Sequence, residues 1–179
     1  LANRDCDALA PDLAQAIADR LGCVLPTRCM VDAIWGAAAR QLEPSPFSPR
    51  EYDIVALPLF LEHHRRIEAQ LGESRAGALI AGIKKDVVVT PRLAEQPGRV
   101  AIYGWHRPGG AAIQPLYTGH SFAHVDYSHG VRLCARCVVL DGTVTTVAAV
   151  LADPALHALL SDEGPVQGAR YPGLTTGGK

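Results

Sequence analysis

The chain has 179 residues, 17 Lys and Arg against 18 Asp and Glu, and 48% apolar residues. That is the length of one domain, with enough apolar surface for a core that needs neither metal nor disulfide to fold. The near-neutral balance excludes the basic stripe of a nucleic-acid binder, and no apolar run reaches the roughly 18 residues of a membrane span.

The first third reads as helical. Leu9, Leu13, Ile17 and Leu21 recur every fourth residue, with Asp7 or Pro11 as the start and Gly22 at the C-terminal cap. Thr27 is the N-cap of a second helix with Met30, Ile34, Ala37 or Ala38, and Leu42 inward. The proline-rich stretch EPSPFSPREYD is a loop. A third helix over Val55–Leu71 suits Pro58 in its first turn, and His63-His64-Arg65-Arg66 within it reads as a solvated face.

From residue 84 the texture becomes β. KKDVVVTP is a short strand opened by solvated charge, and Arg99–His106 is another. Two β-branched runs around Asp141-Gly142 predict a type I′ hairpin. A last helix takes Asp153 as N-cap and Pro154 at its first position, and SDEG after it reads as a capping loop. The tail from Gly168 shows no core pattern. These elements predict a single α+β domain over 1–179: helices in 1–75, a mainly antiparallel sheet in 84–152, and a helix with its tail in 153–179.

Five cysteines, at 6, 23, 29, 134 and 137, are an odd number and leave a short pairing such as Cys23 with Cys29 open. Cys134 and Cys137 have CxxC spacing but lie on a predicted strand, where residues three apart face opposite ways. No second CxxC completes a zinc site. The absence of an initiator Met fits a removed leader, so the expected location is secreted or periplasmic.

Four of the seven histidines, His106, His120, His124 and His129, lie between 106 and 129. An extended backbone puts His120, Phe122, His124, Asp126 and Ser128 on one face, with Tyr127 and His129 on the other. Same-face neighbours are then roughly 6.5–7 Å apart, too far for a linear His-Asp-Ser relay. Three uses stay open. His120, His124 and Asp126 can ligate a divalent ion such as zinc, with His106 as a further ligand. Alternatively, His124 is a metal-free general base oriented by Asp126, with His106 or His129 as a second acid–base group. Ser128 is then a nucleophile only if a histidine from another strand reaches it. The third use is a hydrogen-bonded polar loop. Trp105 and Tyr127 are candidates for a substrate-stacking wall.

Two resemblances add to this. KKDVVVTP, GRVAIYGWH and SFAHVDYSHGVRL are similar to the β half of NlpC/P60 cell-wall amidases, which implies Cys29, in the first turn of the second helix, as nucleophile. Arg99 stands where that family has its catalytic histidine. KKDVV, VAIYGWH, AIQPLY, VDYSHGVRL and LLSDEGPV resemble a family of exported bacterial proteins without an assigned activity. The expected function is an exported bacterial hydrolase of an amide or ester bond in a small-molecule or polymer substrate, such as the cell wall. Its alternatives are a zinc-dependent hydrolase and a non-catalytic glycan- or wall-binding module.

Overall fold

The computed structural model describes residues 10–72 and 77–174; Cys6, Asp7 and Leu9 and the last five residues lie outside them. Helix α1 (Pro11–Arg20) has proline in its first turn, where a missing N–H costs nothing. It buries Pro11, Ala14, Gln15 and Ala18, while Leu13 and Leu21 are exposed. The expected leucine ridge is therefore not the inward face. Small alanines let the helix approach closely, and Gln15 Oε1 accepts the Tyr171 N–H at 3.2 Å.

After β1 (Cys23–Val24), α2 (Arg28–Ala37) starts at Thr27, whose hydroxyl oxygen accepts the Met30 N–H. Its buried residues are Val31 and Trp35, one position round from the expected Met30 and Ile34. Strand β2 (Arg40–Gln41) precedes the buried Leu42. Helix α3 (Leu57–Leu71) keeps Pro58 in its first turn and buries Leu59, His63 and Ile67 at four-residue spacing. His63 thus belongs to the core and not to the solvated face expected for it.

The remaining strands are β3 (Ile80–Ala81), β4 (Lys85–Val87), β5 (Ile102–His106), β6 (Ala112–Tyr117), β7 (His129–Gly130), β8 (Cys134–Ala135), β9 (Cys137–Leu140) and β10 (Thr143–Thr146). The main sheet runs β6-β5-β4-β7, antiparallel except for the parallel pair β4–β7. Pro115 sits in β6, an edge strand, where its missing N–H breaks no inner ladder. Strands β9 and β10 form the expected hairpin, with φ of 48° at Asp141 and 79° at Gly142. The fold is α+β. The last helix differs from expectation: α4 (Val147–Ala152) begins directly after β10 under a Thr146 cap and buries Val147, Val150 and Leu151. Asp153 ends α4, and its Oδ1 accepts the Ala155 N–H of the next turn at 2.7 Å.

The main core packs Val87, Val88, Val89, Val100, Ala101 and Ile102 with Ala14 and Ala18 of α1 and Val147 and Leu151 of α4. Tyr171, from the tail thought to lack a core pattern, belongs here too. Its buried hydroxyl donates to Val88 O at 3.0 Å and accepts from Ala101 N at 3.1 Å. A smaller core joins Phe47, Leu59, Trp105 and Tyr127, with the His63 ring edge-on to Trp105 and Tyr127 at 5.4 and 5.1 Å. Cys23, Cys29, Cys134 and Cys137 are free thiols, so the Cys23–Cys29 pairing is not formed. Burial pushes Cys134 up to about 11. Among the described residues no helix is long and apolar enough to cross a membrane.

Burial, helped by Lys84 and Arg66, pushes His63 from 6.5 down to about 3. The unfolded chain therefore binds a proton that the folded chain refuses. The stabilisation is complete above pH 6.5 and is lost progressively as pH falls from 6.5 towards 3. Replacing His63 with Leu should flatten the fall of unfolding free energy between pH 6 and pH 4 by up to about 1 kcal/mol per pH unit. Urea titrations across that range test this, and equal slopes in both proteins would contradict it.

Candidate metal centre

The segment from Gly119 to Ser128 is not a strand. The His124 N–H donates to Ser121 O at 3.0 Å and the His129 N–H to Asp126 O at 3.2 Å, so the chain turns twice within ten residues. Asp126 drives the second turn. Its Oδ1 accepts both the Ser128 N–H at 2.7 Å and the Ser128 hydroxyl at 2.5 Å. Tyr127, held between them, enters the smaller core, where its hydroxyl oxygen accepts the Phe47 N–H at 2.6 Å.

These turns undo the alternation expected of an extended segment. His129, assigned to the opposite face, converges with His120 and His124, and one ring nitrogen of each lies within 4.8 Å of the others. The rings of His120 and His124 stack at 4.0 Å, and His129 lies 5.6 Å from His124 between ring centres. Asp126 Oδ2 faces the same space, 3.6 Å from His124 Nε2 and 3.7 Å from His129 Nε2. The expected ligand set of His120, His124 and Asp126 is thus changed: His129 joins the imidazoles, and the carboxylate stands beside them.

His129 is fully buried and His124 is 28% exposed, so the cluster has a floor and an open side. The exposed Tyr117 ring packs edge-on to His120 at 5.0 Å. Burial pushes His129 down to about 4 against the pull of Asp126, and burial with the neighbouring His124 lowers His120. Burial works to raise the Asp126 carboxyl, but the His129 ring, the Ser128 donors and the Lys85 ammonium outweigh it and hold it below the ordinary carboxylate value.

The remaining candidates lie elsewhere. His106 is held by α2: its Nε2 is 2.7 Å from Asp32 Oδ1, its ring stacks on Trp35, and the Tyr103 hydroxyl donates to the same Asp32 oxygen at 2.8 Å. Its expected place beside the 120–129 segment is not observed. The cause is local, because Trp105 has φ of 54° after Gly104 at 101°, and the ladder slips between Ile102 and Gly104. Trp105 and His106 are both buried, each against a different neighbour.

Trp105 and Tyr127 are 2% and 3% exposed, so they are core residues and offer no stacking wall. Ser128 is buried and its proton goes to Asp126, not to a histidine. Cys29 does sit in the first turn of α2, but burial, Asp162 and Asp32 raise its thiol rather than favouring a thiolate. Sequence reading missed Asp32 and Lys85. Asp32 lies one α-helical turn from Arg28 and shows no motif, and Lys85 looks like ordinary strand-end charge.

An ion of the zinc type, about 2.0–2.1 Å from each ligand, spaces tetrahedral ligand atoms about 3.3–3.4 Å apart. One nitrogen from each of the three imidazoles lies within 4.8 Å of the others, a bound that includes that spacing. Three imidazoles are a donor set suited to zinc that leaves a fourth position for water, with the Asp126 carboxylate beside them. His124 Nε2 and both ring nitrogens of His129 are buried without a hydrogen-bond partner. Such orphaned nitrogens are costly, and a cation fits them.

Replacing Ser128 with Ala removes one of the two donors that hold Asp126 and should cost about 1–2 kcal/mol of stability. The same change should weaken metal affinity about 10-fold or more, because Asp126, which Ser128 holds, is the carboxylate beside the His124 and His129 ligands. Denaturant midpoints and competitive chelator titration measure the two effects, and an unchanged affinity would contradict the orienting role.

Comparison of the chain with protein-family models, with curated proteins and with solved structures finds no match.

Proposed function

We propose that the protein is a mononuclear metal-dependent hydrolase of an ester or amide bond, its ion held by His120, His124 and His129. The observation that carries this reading is the convergence of the three imidazoles within 4.8 Å, with buried, unpartnered nitrogens on two of them. A divalent ion held by these three imidazoles would supply an acidified water and polarise a carbonyl. Asp126 Oδ2 would hold the proton given up by water, because Oδ1 is already committed to Ser128. Hydrolysis would add the oxygen of water to the carbonyl carbon, and Asp126 would carry the proton released to the leaving oxygen or nitrogen as that bond breaks. His120 and His124 are partly exposed, so a substrate would approach from their side.

A second reading rests on a different observation, the 2.7 Å contact between His106 and Asp32. It describes a metal-free general base in which Asp32 orients the His106 ring. A glycan- or wall-binding module has less support, because its two recognition aromatics are buried.

Metal analysis of the purified chain separates these readings. The metal-dependent reading expects about one equivalent of zinc, falling below about a tenth when His124 or His129 becomes Ala. Turnover of 4-nitrophenyl acetate or an amino-acid 4-nitroanilide should vanish with the zinc and return when it is restored. Metal-free activity lost on His106→Ala would favour the second reading instead. Retained glycan binding with no turnover of either substrate would favour the module.

A further inference from the structure

Strand β4 reaches the metal cluster through Lys85. Its backbone N–H donates to Ser128 O at 2.8 Å, and it is the register partner of His129 on the parallel neighbour β7. Register partners on adjacent strands project to the same side of a sheet. On its other flank Lys85 pairs with Gly104, which has no side chain. Lys85 is half-buried, and its ammonium acts electrostatically on Asp126, His120 and His129 together. Among the described residues it enters no ion pair with a carboxylate.

The charge balance follows from these neighbours. Asp126 and Lys85 cancel, and the histidines are neutral in the ligating form. A divalent ion at the cluster therefore leaves its own charge uncompensated beside a half-buried ammonium. Desolvated positive charge of this kind is relieved by an anionic oxygen ligand. The exposed Arg99, whose backbone forms a β-bridge with Ser121, donates from Nη1 to Gly119 O at 2.8 Å, next in the chain to His120.

We infer that Lys85 and the metal together hold an anionic oxygen group, so that the hydrolase acts on a substrate carrying a phosphate or a carboxylate beside the bond it breaks. The inference rests on the metal reading above. Lys85 is on this account a specificity-determining residue for the substrate.

Cobalt in place of zinc makes the site visible. The cobalt-loaded full chain is titrated with inorganic phosphate and, separately, with acetate while its visible d–d bands are followed. Saturable perturbation by phosphate identifies the anionic group beside the scissile bond as a phosphate, and perturbation by acetate identifies it as a carboxylate. In either case Lys85→Gln should take up cobalt yet bind the anion about 10- to 100-fold more weakly. Lys85→Arg, which keeps the charge, should restore binding to within about threefold of the original. A cobalt spectrum that neither anion perturbs overturns the inference, as does equal anion affinity in Lys85→Gln. Failure of the wild-type chain to bind cobalt through its histidines would overturn the metal reading itself, and this inference with it.

Discussion

One carboxylate organises the histidine loop. Asp126 is 3% exposed, and a buried charge of that kind persists only when donors surround it. Ser128 supplies two of them to a single oxygen, which closes the turn and fixes the carboxylate plane. The second oxygen is thereby left facing His124 and His129. The same turn delivers Tyr127 into an aromatic core with Phe47, Trp105 and His63, so the loop is anchored by packing as well as by hydrogen bonds. Local hydrogen bonding and remote packing therefore specify one geometry together, which is the consistency expected of a well-determined site.

Strand β5 sorts the aromatic and imidazole side chains. The positive φ at Gly104 and Trp105 interrupts the alternation of the strand. As a result Trp105 supports the loop that carries the histidine cluster, while His106 packs onto Trp35 and binds Asp32 of α2. A tryptophan at positive φ is a strained conformation that persists only when packing on several sides fixes it. Here the buried ring, wedged among His63 and Tyr127, provides that constraint. The consequence is two separate polar centres, each with a carboxylate of its own.

Much of the fold is legible in the sequence, and the illegible parts share physical causes. The Asp141-Gly142 turn, the Thr27 cap and Pro58 in the first turn of α3 are local chemistry, and local chemistry can be read from neighbouring residues. Burial depends on what packs against a helix. Alanine rather than leucine faces inward on α1 because Tyr171 and the sheet come close there, and Ala14 and Ala18 are four residues apart just as Leu13 and Ile17 are. His63 looks like the start of a charged run until the aromatic pocket around it is known. At the site, the clustering of histidines is visible in the sequence, but their convergence is not. Periodicity assumed a straight strand and sent His129 to the wrong side, whereas the turn closed by Asp126 and Ser128 brings it back. Lys85 becomes legible only through a parallel pairing with β7, a contact between residues 44 positions apart in the chain, about which nothing local to the KKD motif gives notice.

The proposed hydrolase depends on three imidazoles binding one ion. X-ray absorption at the metal edge of the zinc-loaded chain tests it most directly. The account predicts a shell of nitrogen and oxygen at about 2.0–2.1 Å with outer-shell scattering from about three imidazole rings. A sulfur shell at about 2.3 Å, or a spectrum without imidazole scattering, would place the ion on other residues and contradict it.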